Sequence, residues 1–261
     1  MKSLFALVLL CLGPASAAWG FSVGTLNLYH YASKLDERRS NLETELRVRG
    51  FPDIMGFQES ARWIGVEMPF DTFVRFTGFS GIYEATNSFG VMNEGIALVS
   101  RYPAHRLWSA RLPDTRRLSR QAINVGLFDL PEGGKAVVVN VHLSPYPEGA
   151  WRRVEQVIFM LDHLKAYASL PVIIMGDLND HYDSEALRVL RKAGFVDVLE
   201  GRGASYDPTT NPLLIKSEYP PSRLDYILYQ PSKLKLVRAD WMCRENWVSD
   251  HYGLKAEFRL K

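Results

Sequence analysis

The stretch Val172-Ile173-Ile174-Met175-Gly176-Asp177-Leu178-Asn179 sets the fold class of this chain. Four apolar residues in an unbroken row read as a strand buried on both faces. The row ends in Gly176, then Asp177, and two residues further on Asn179. On an extended backbone, positions i and i+2 face the same side, so these two oxygen-bearing side chains converge. Open sheets place their ligands at strand ends. A carboxylate beside a carboxamide at such an end suits a hard cation or a water to be activated.

The pattern repeats on either side of it. Strands are predicted over 21–29, 54–58, 95–100, 119–128 and 136–143, and again over 224–229, 234–239 and 254–260. Helices are predicted over 35–49, 149–168 and 184–192. The second carries an apolar stripe of Val154, Val157, Ile158, Leu161 and Leu164 at three- and four-residue spacing. Gly50 and Gly194 suit the ends of the first and third helices. The proline-rich segment 208–221 reads as a loop. Many strands with a few helices between them imply a layered α/β or α+β architecture. A two-half layout is visible, each half running strand, polar residue, helix, strand, acidic residue.

Six short sites place a polar residue at the end of an apolar strand: Asn27, Glu59, His142, Asp177 with Asn179, Asp225, and Asp250-His251. Any one alone is an ordinary cap or turn residue. Strands packed side by side bring their ends together, so the six describe one cleft. Glu59, Asn27, Asp177, Asn179 and Asp250 offer oxygen donors without thiolates, which selects Mg²⁺, with Mn²⁺ or Ca²⁺ as alternatives, over zinc. Two histidines add proton transfer or phosphate binding, each needing an acidic partner to fix its tautomer. Cation, histidine and arginine together describe phosphoryl hydrolysis. Competing metal and nucleotide chemistries lack their motifs: the chain has no His-Glu-x-x-His and no phosphate-binding Gly-x-x-x-x-Gly-Lys-Ser/Thr loop.

The chain has 261 residues, 47% hydrophobic and 23% charged, with a formal net charge of +2. That is globular composition with no global field pointing to nucleic acid. Basic residues cluster locally at Arg111, Arg116, Arg117 and Arg120. Residues 1–17 have the layout of a secretory signal: Lys2, an apolar run over 4–12, a Gly13-Pro14 break and small residues Ala15-Ser16-Ala17. An uncleaved anchor or a first strand are the alternatives. Cleavage would remove Cys11, leave Cys243 alone, and produce a soluble, secreted or periplasmic single domain over 18–261.

Taken in order, Thr25-Leu26-Asn27, Gln58-Glu59, Asn140-Val141-His142-Leu143, Gly176-Asp177-Leu178-Asn179, Leu224-Asp225-Tyr226-Ile227 and Ser249-Asp250-His251 resemble the endonuclease/exonuclease/phosphatase superfamily. The resemblance runs from about residue 22 to the C-terminus. It implies a four-layer fold, two mainly antiparallel β-sheets face to face with helices outside, and a Mg²⁺-dependent phosphoesterase. Glu59 then corresponds to the principal metal ligand, assisted by Asn27, with Asp250 a further metal-side carboxylate. Asp177 and Asn179 correspond to the pair that orients water and phosphate. His251 corresponds to the catalytic histidine, oriented by Asp225, and His142 to the second phosphate-facing histidine. Glu94 resembles the carboxylate that partners this second histidine, and Arg120 a phosphate-contacting arginine. Whether Asp177 or His251 takes the water proton stays open.

Within the family, Gly95-Ile96-Ala97-Leu98-Val99-Ser100-Arg101-Tyr102-Pro103 and residues 222–229 look most like sphingomyelinase-like and general secreted members. The expected substrate is a phosphodiester, either a lipid headgroup cleaved in the manner of a phospholipase C or nucleic acid cleaved by a nuclease. Trp63, Phe70, Phe73, Phe76, Phe79 and Phe89 form either a membrane-touching surface or core packing. Tyr146 and Trp151 suit a cleft wall or packing under the following helix. A monomer without an obligate protein partner is expected. The alternative from a different class is an inactive relative that binds membranes or a partner protein.

Overall fold

The computed structural model describes residues 20–113, 121–131 and 133–261. The expected leader over 1–17, Cys11 and the arginines Arg116, Arg117 and Arg120 lie outside them. Two β–α–β units organise the rest. In the first, β1 (Phe21–Asn27) runs through α1 (Leu35–Arg49) to β2 (Ile54–Trp63), and the two strands pair in parallel. In the second, β7 (Lys135–His142) runs through α3 (Ala150–Leu164) to β8 (Val172–Asp177), again in parallel. Strands β1, β7 and β8 end on Asn27, His142 and Asp177, and each unit sits at the centre of its own sheet.

Antiparallel strands complete both sheets. The first has the order β11-β12-β1-β2-β4-β3, adding β3 (Ser80–Phe89), β4 (Met92–Ser100), β11 (Leu234–Met242) and β12 (Gly253–Leu260). The second has the order β5-β6-β7-β8-β10-β9, adding β5 (Ala104–Arg111), β6 (Ala122–Asp129), β9 (Val196–Asp197) and β10 (Asp225–Tyr229). Helix α4 (Glu185–Lys192) joins α3 over the second sheet, and α2 (Pro69–Thr77) joins α1 over the first.

Strand β8 shows why its sequence is apolar throughout. Ile173 and Met175 enter the core between the sheets, with Val23, Ile54, Val138, Ile227 and Phe258. Val172 and Ile174 point the other way, onto Val157, Met160, Leu187 and Leu190 of the helices. Both faces are covered, so polar alternation is absent. The first sheet repeats the scheme, with Met55 and Phe57 packed against Leu42, Leu46, Phe70 and Phe73. The result is the four-layer order helices, sheet, sheet, helices.

Strand β2 extends beyond the predicted 54–58, and α2, β3 and β5 were not predicted. The aromatic segment is settled for three of its members: Phe70, Phe73 and Phe79 are buried and are therefore not an interfacial surface. Phe73 stands edge-on to Phe57 and Phe79, with ring centroids 4.8 and 5.5 Å apart. Behind the strand ends, Asn140 of β7 crosses between the sheets. Its amide donates to the carbonyls of Phe57 and Ala97 at 3.0 and 2.9 Å and accepts from Gln58 Nε2 at 2.5 Å. A buried amide must find such partners, and here they fix the separation and register of the two sheets.

Candidate active site

The ends of β7, β8 and β10 form one half of the site. His142 and Asp225 are the strand neighbours of Asp177 on either side. Gly176 permits this close approach: a Cβ there would lie 1.9 Å from the Val141 carbonyl oxygen, and its φ of +145° disfavours L side chains. Asp177 Oδ2 accepts from Asn27 Nδ2 at 3.0 Å and lies 3.7 Å from His142 Nε2 and 3.9 Å from His251 Nδ1. Asp177 Oδ1 accepts the Asn179 backbone N–H at 2.9 Å. Asn179 holds a left-handed φ of +49°, and its amide donates to the Leu143 carbonyl. Such conformations recur where function over-determines the backbone.

His251 Nδ1 and Asp225 Oδ2 are 2.7 Å apart. Asp225 is itself held by the Ser205 hydroxyl, which accepts its N–H, while its Oδ1 is buried without a hydrogen-bond partner among the described residues. Tyr206 packs edge-on to the His251 ring. Burial alone would lower the His251 pKa, but the Asp225 carboxylate beside it, with Asp177 and Asp250, raises it well above the ordinary value. Burial, reinforced by the Asp225 charge, pushes Asp177 up to about 6 against the pull of His251, His142 and the Asn27 amide.

The other half grows from β1 and β2. The register with β4 shifts between Phe57 and Ser60, and Glu59 sits in this bulge with a φ of +48°. A bulge re-aims one side chain, and Glu59 is turned toward the second sheet. Asn27 Nδ2 donates to Glu59 Oε1 at 3.0 Å as well as to Asp177, so one amide joins the halves. His30 Nδ1 lies 2.5 Å from Glu59 Oε2 and 3.9 Å from Glu94 Oε1. Burial would raise the Glu59 pKa, but the hydrogen bond to His30 and the His142 charge hold it well below the carboxylate range. Burial raises Asp250, opposed by His251 and reinforced by Glu59, and its Oδ1 accepts from Ser249 Oγ at 3.0 Å.

The expected residues Asn27, Glu59, His142, Asp177, Asn179, Asp225, Asp250 and His251 thus converge. Glu94 lies at the same cleft, but not where the resemblance put it. Its ion-pair neighbour among the described residues is His30, and Asn87 Nδ2 donates to it at 3.2 Å, whereas His142 faces Asp177. The register places Glu94 opposite Ala61, beyond the bulge that holds Glu59, and so beside His30. Arg120 lies outside the described residues.

Two residues that shape the cleft were missed. His30 follows Tyr29, whose φ of +51° turns the chain toward Glu59. Arg38 is fully buried on α1 and donates to the carbonyls of Leu28, Tyr29, Tyr31, Ser33 and Val248. It therefore clamps the loop bearing His30 to the loop bearing Asp250. The signal was present in the sequence: Arg38, Leu42, Glu45 and Leu46 share one buried helical face, and an arginine on such a stripe has to be satisfied internally.

The residues fit a divalent cation. His30, Glu59 and Glu94 offer donor atoms within 4.8 Å of one another, as do Asp177, Asp225 and His251. Carboxylates outnumber histidines at the cleft; burial first, and the neighbouring Asp225 and Glu59 charges after it, raise Asp177 and Asp250. Asn27 acts here as a bridge, with Oδ1 accepting the Tyr29 N–H at 3.0 Å. Ligation by its oxygen would require the amide to turn over.

Comparison with known proteins bears on the fold and the family. A UPF0294 protein of Vibrio cholerae is 27% identical over 192 residues, covering 73% of this chain and 64% of the relative. The chain therefore matches about 64% of the length of that curated relative. The human Nocturnin catalytic domain, solved with a bound sulfate anion, superposes with a TM-score of 0.73 at 20% identity, covering 93% of this chain and 94% of that one. A Bacteroides thetaiotaomicron mannosyl-6-phosphatase gives a TM-score of 0.68 at 18% identity, covering 91% and 99%. Residues 24–251 match the Endonuclease/Exonuclease/phosphatase family, and the chain belongs to that family of phosphate-ester hydrolases.

Proposed function

We propose that this chain is an exported, divalent-cation-dependent phosphodiester hydrolase that directs water onto phosphorus. The observation that carries the reading is the Asn27 amide, which ties Glu59 to Asp177 at 3.0 Å each and makes the two strand-end clusters one site. Glu59 is the anchor for the cation, with Asp250 and Glu94 beside it. A bound cation supplies charge neutralisation for the phosphate and the departing oxygen.

The chain's own groups divide the remaining work. His251, held protonated by Asp225, presents its free Nε2 to a phosphoryl oxygen. Asp177, fixed through Oδ1 by the Asn179 N–H, orients the attacking water with Oδ2 and accepts its proton. Its raised pKa makes it a better proton acceptor than an exposed aspartate. His142 contacts the phosphate from the opposite side of Asp177. Imidazolium and carboxylate thus take separate roles, set by their neighbours.

Export rests on the signal-like layout of residues 1–17, and N-terminal mass analysis of protein from the medium or periplasm tests it. Among the described residues, no helix is long and apolar enough to cross a membrane. The activity test is hydrolysis of duplex DNA, RNA, sphingomyelin vesicles, inositol phosphates and a sugar phosphate, each with Mg²⁺ or Mn²⁺ and with EDTA. The reading requires cation-dependent, EDTA-sensitive release from a diester. Steep loss of binding with salt identifies a nuclease, and preference for vesicles identifies a lipid headgroup substrate. Cation-independent release, or none from any diester, overturns it.

A further inference from the structure

We propose that His30 is itself a cation ligand, acting with Glu59 and Glu94, and that this nitrogen makes the site prefer Mn²⁺, a transition-metal ion that takes nitrogen beside oxygen, over Mg²⁺. The inference rests on the divalent-cation reading above and concerns which cation the site takes.

Two carboxylates converge on one imidazole nitrogen. Nδ1 lies 2.5 Å from Glu59 Oε2 and 3.9 Å from Glu94 Oε1. A single N–H serves only one of them. Glu59 Oε2 already faces the His30 backbone N–H at 3.3 Å, and Oε1 the Asn27 amide. Each Glu59 oxygen thus keeps a donor besides the imidazole, while two negative charges share the pocket. A divalent cation among the three answers both conditions, with neutral Nδ1 donating its lone pair.

The ring is built in place. Tyr31 packs against it with centroids 4.1 Å apart, and Arg38 anchors the carbonyls on either side of it. Side-chain exposures of 23%, 20% and 15% for His30, Glu59 and Glu94 leave the group reachable by a solvated ion. Imidazole suits Zn²⁺, Fe²⁺ and Ni²⁺ best; among the ions that carboxylates hold, Mn²⁺ accepts a nitrogen more readily than Mg²⁺, which keeps to oxygen and water.

The test uses the full-length protein, with Mn²⁺ and Mg²⁺ as the probes. Pulsed EPR of the Mn²⁺-loaded protein should show ¹⁴N coupling from a directly bound imidazole, lost in His30→Gln. Calorimetric titration should show Mn²⁺ bound at least tenfold tighter than Mg²⁺, with His30→Gln losing about tenfold in Mn²⁺ affinity and little in Mg²⁺ affinity. Circular dichroism establishes that the variant is folded, and the wild-type spectrum requires no variant. Absent ¹⁴N coupling in the wild type, coupling that persists in His30→Gln, or equal losses for both ions overturn the inference. Cation-dependent hydrolysis alongside such a result would leave the hydrolase reading standing. Failure of both ions to bind would remove the cation reading as well.

Discussion

The two halves of the cleft carry the same residue types in opposite conditions. In the first-sheet half, His30, Glu59 and Glu94 have side chains 23%, 20% and 15% exposed. In the second-sheet half, His251, Asp225 and Asp177 are 8%, 1% and 2% exposed. A carboxylate–imidazole pair near water exchanges partners easily, so the first half suits an ion that comes and goes. A buried pair keeps its geometry and shifts its pKa values, so the second half suits proton transfer. Burial depth separates the two roles, and the Asn27 amide joins them.

The largest effect should follow from disabling the buried half. Asp177→Asn, or His251→Ala, should lower kcat by about 10³- to 10⁴-fold with the fold retained, measured on the best diester at saturating cation. A loss shared equally by Glu94→Gln would erase the division between the halves. Next comes the clamp beneath the exposed half. Arg38→Met strands five carbonyl contacts, and a stability loss of about 3 kcal/mol is expected from the unsatisfied groups. Denaturant melts measure it; an unchanged midpoint would show that the 28–33 loop holds itself.

Asp225→Asn should cost about 10²-fold in kcat, because it removes the partner that orients His251. The carboxylate raises the His251 pKa, so its removal lets that value fall. A reaction needing protonated His251 then loses its alkaline side at lower pH. A pH–rate profile that does not move would assign the alkaline limb to another group.

The smallest effect is a pH slope in stability without cation. Asp177 holds its proton more tightly folded than unfolded, with a value of about 6 against the ordinary 3.8. Its contribution is therefore full below about pH 4 and is lost as pH rises through about 6. His251, also raised, loses its contribution at higher pH still. Glu59 is lowered, so its contribution is lost only as pH falls below the ordinary carboxylate range. In EDTA the melting temperature should fall by a few degrees between pH 5 and pH 8, and a divalent cation should restore it at pH 8.

The buried half was legible in the sequence because its physics is local. An apolar strand that must end on Asp177, with His142 and Asp225 on the strands beside it, follows from strand patterning and family resemblance together. The exposed half was half-read. Glu59 and Asn27 stand out at strand ends, but His30 lies in a loop of aromatic residues with no periodicity, and its aim depends on the left-handed Tyr29. Arg38 reads as one more charge on a highly charged helix until its buried stripe is traced. Helix α2 and strand β3 escaped because the segment 69–89 is short-range and aromatic, without the alternation that marks a strand. Glu94 was placed beside the wrong histidine because the resemblance carries no information on the register of β2 and β4 beyond the bulge.

The most direct test is diester hydrolysis by wild type and Asp177→Asn side by side, first in EDTA and then with Mn²⁺ or Mg²⁺ added back. Turnover by the wild type only with cation, and an Asp177→Asn variant that still binds cation but turns over at least 10³-fold more slowly, would show one site with two separable halves. Equal turnover by both proteins, or turnover undiminished in EDTA, would contradict it.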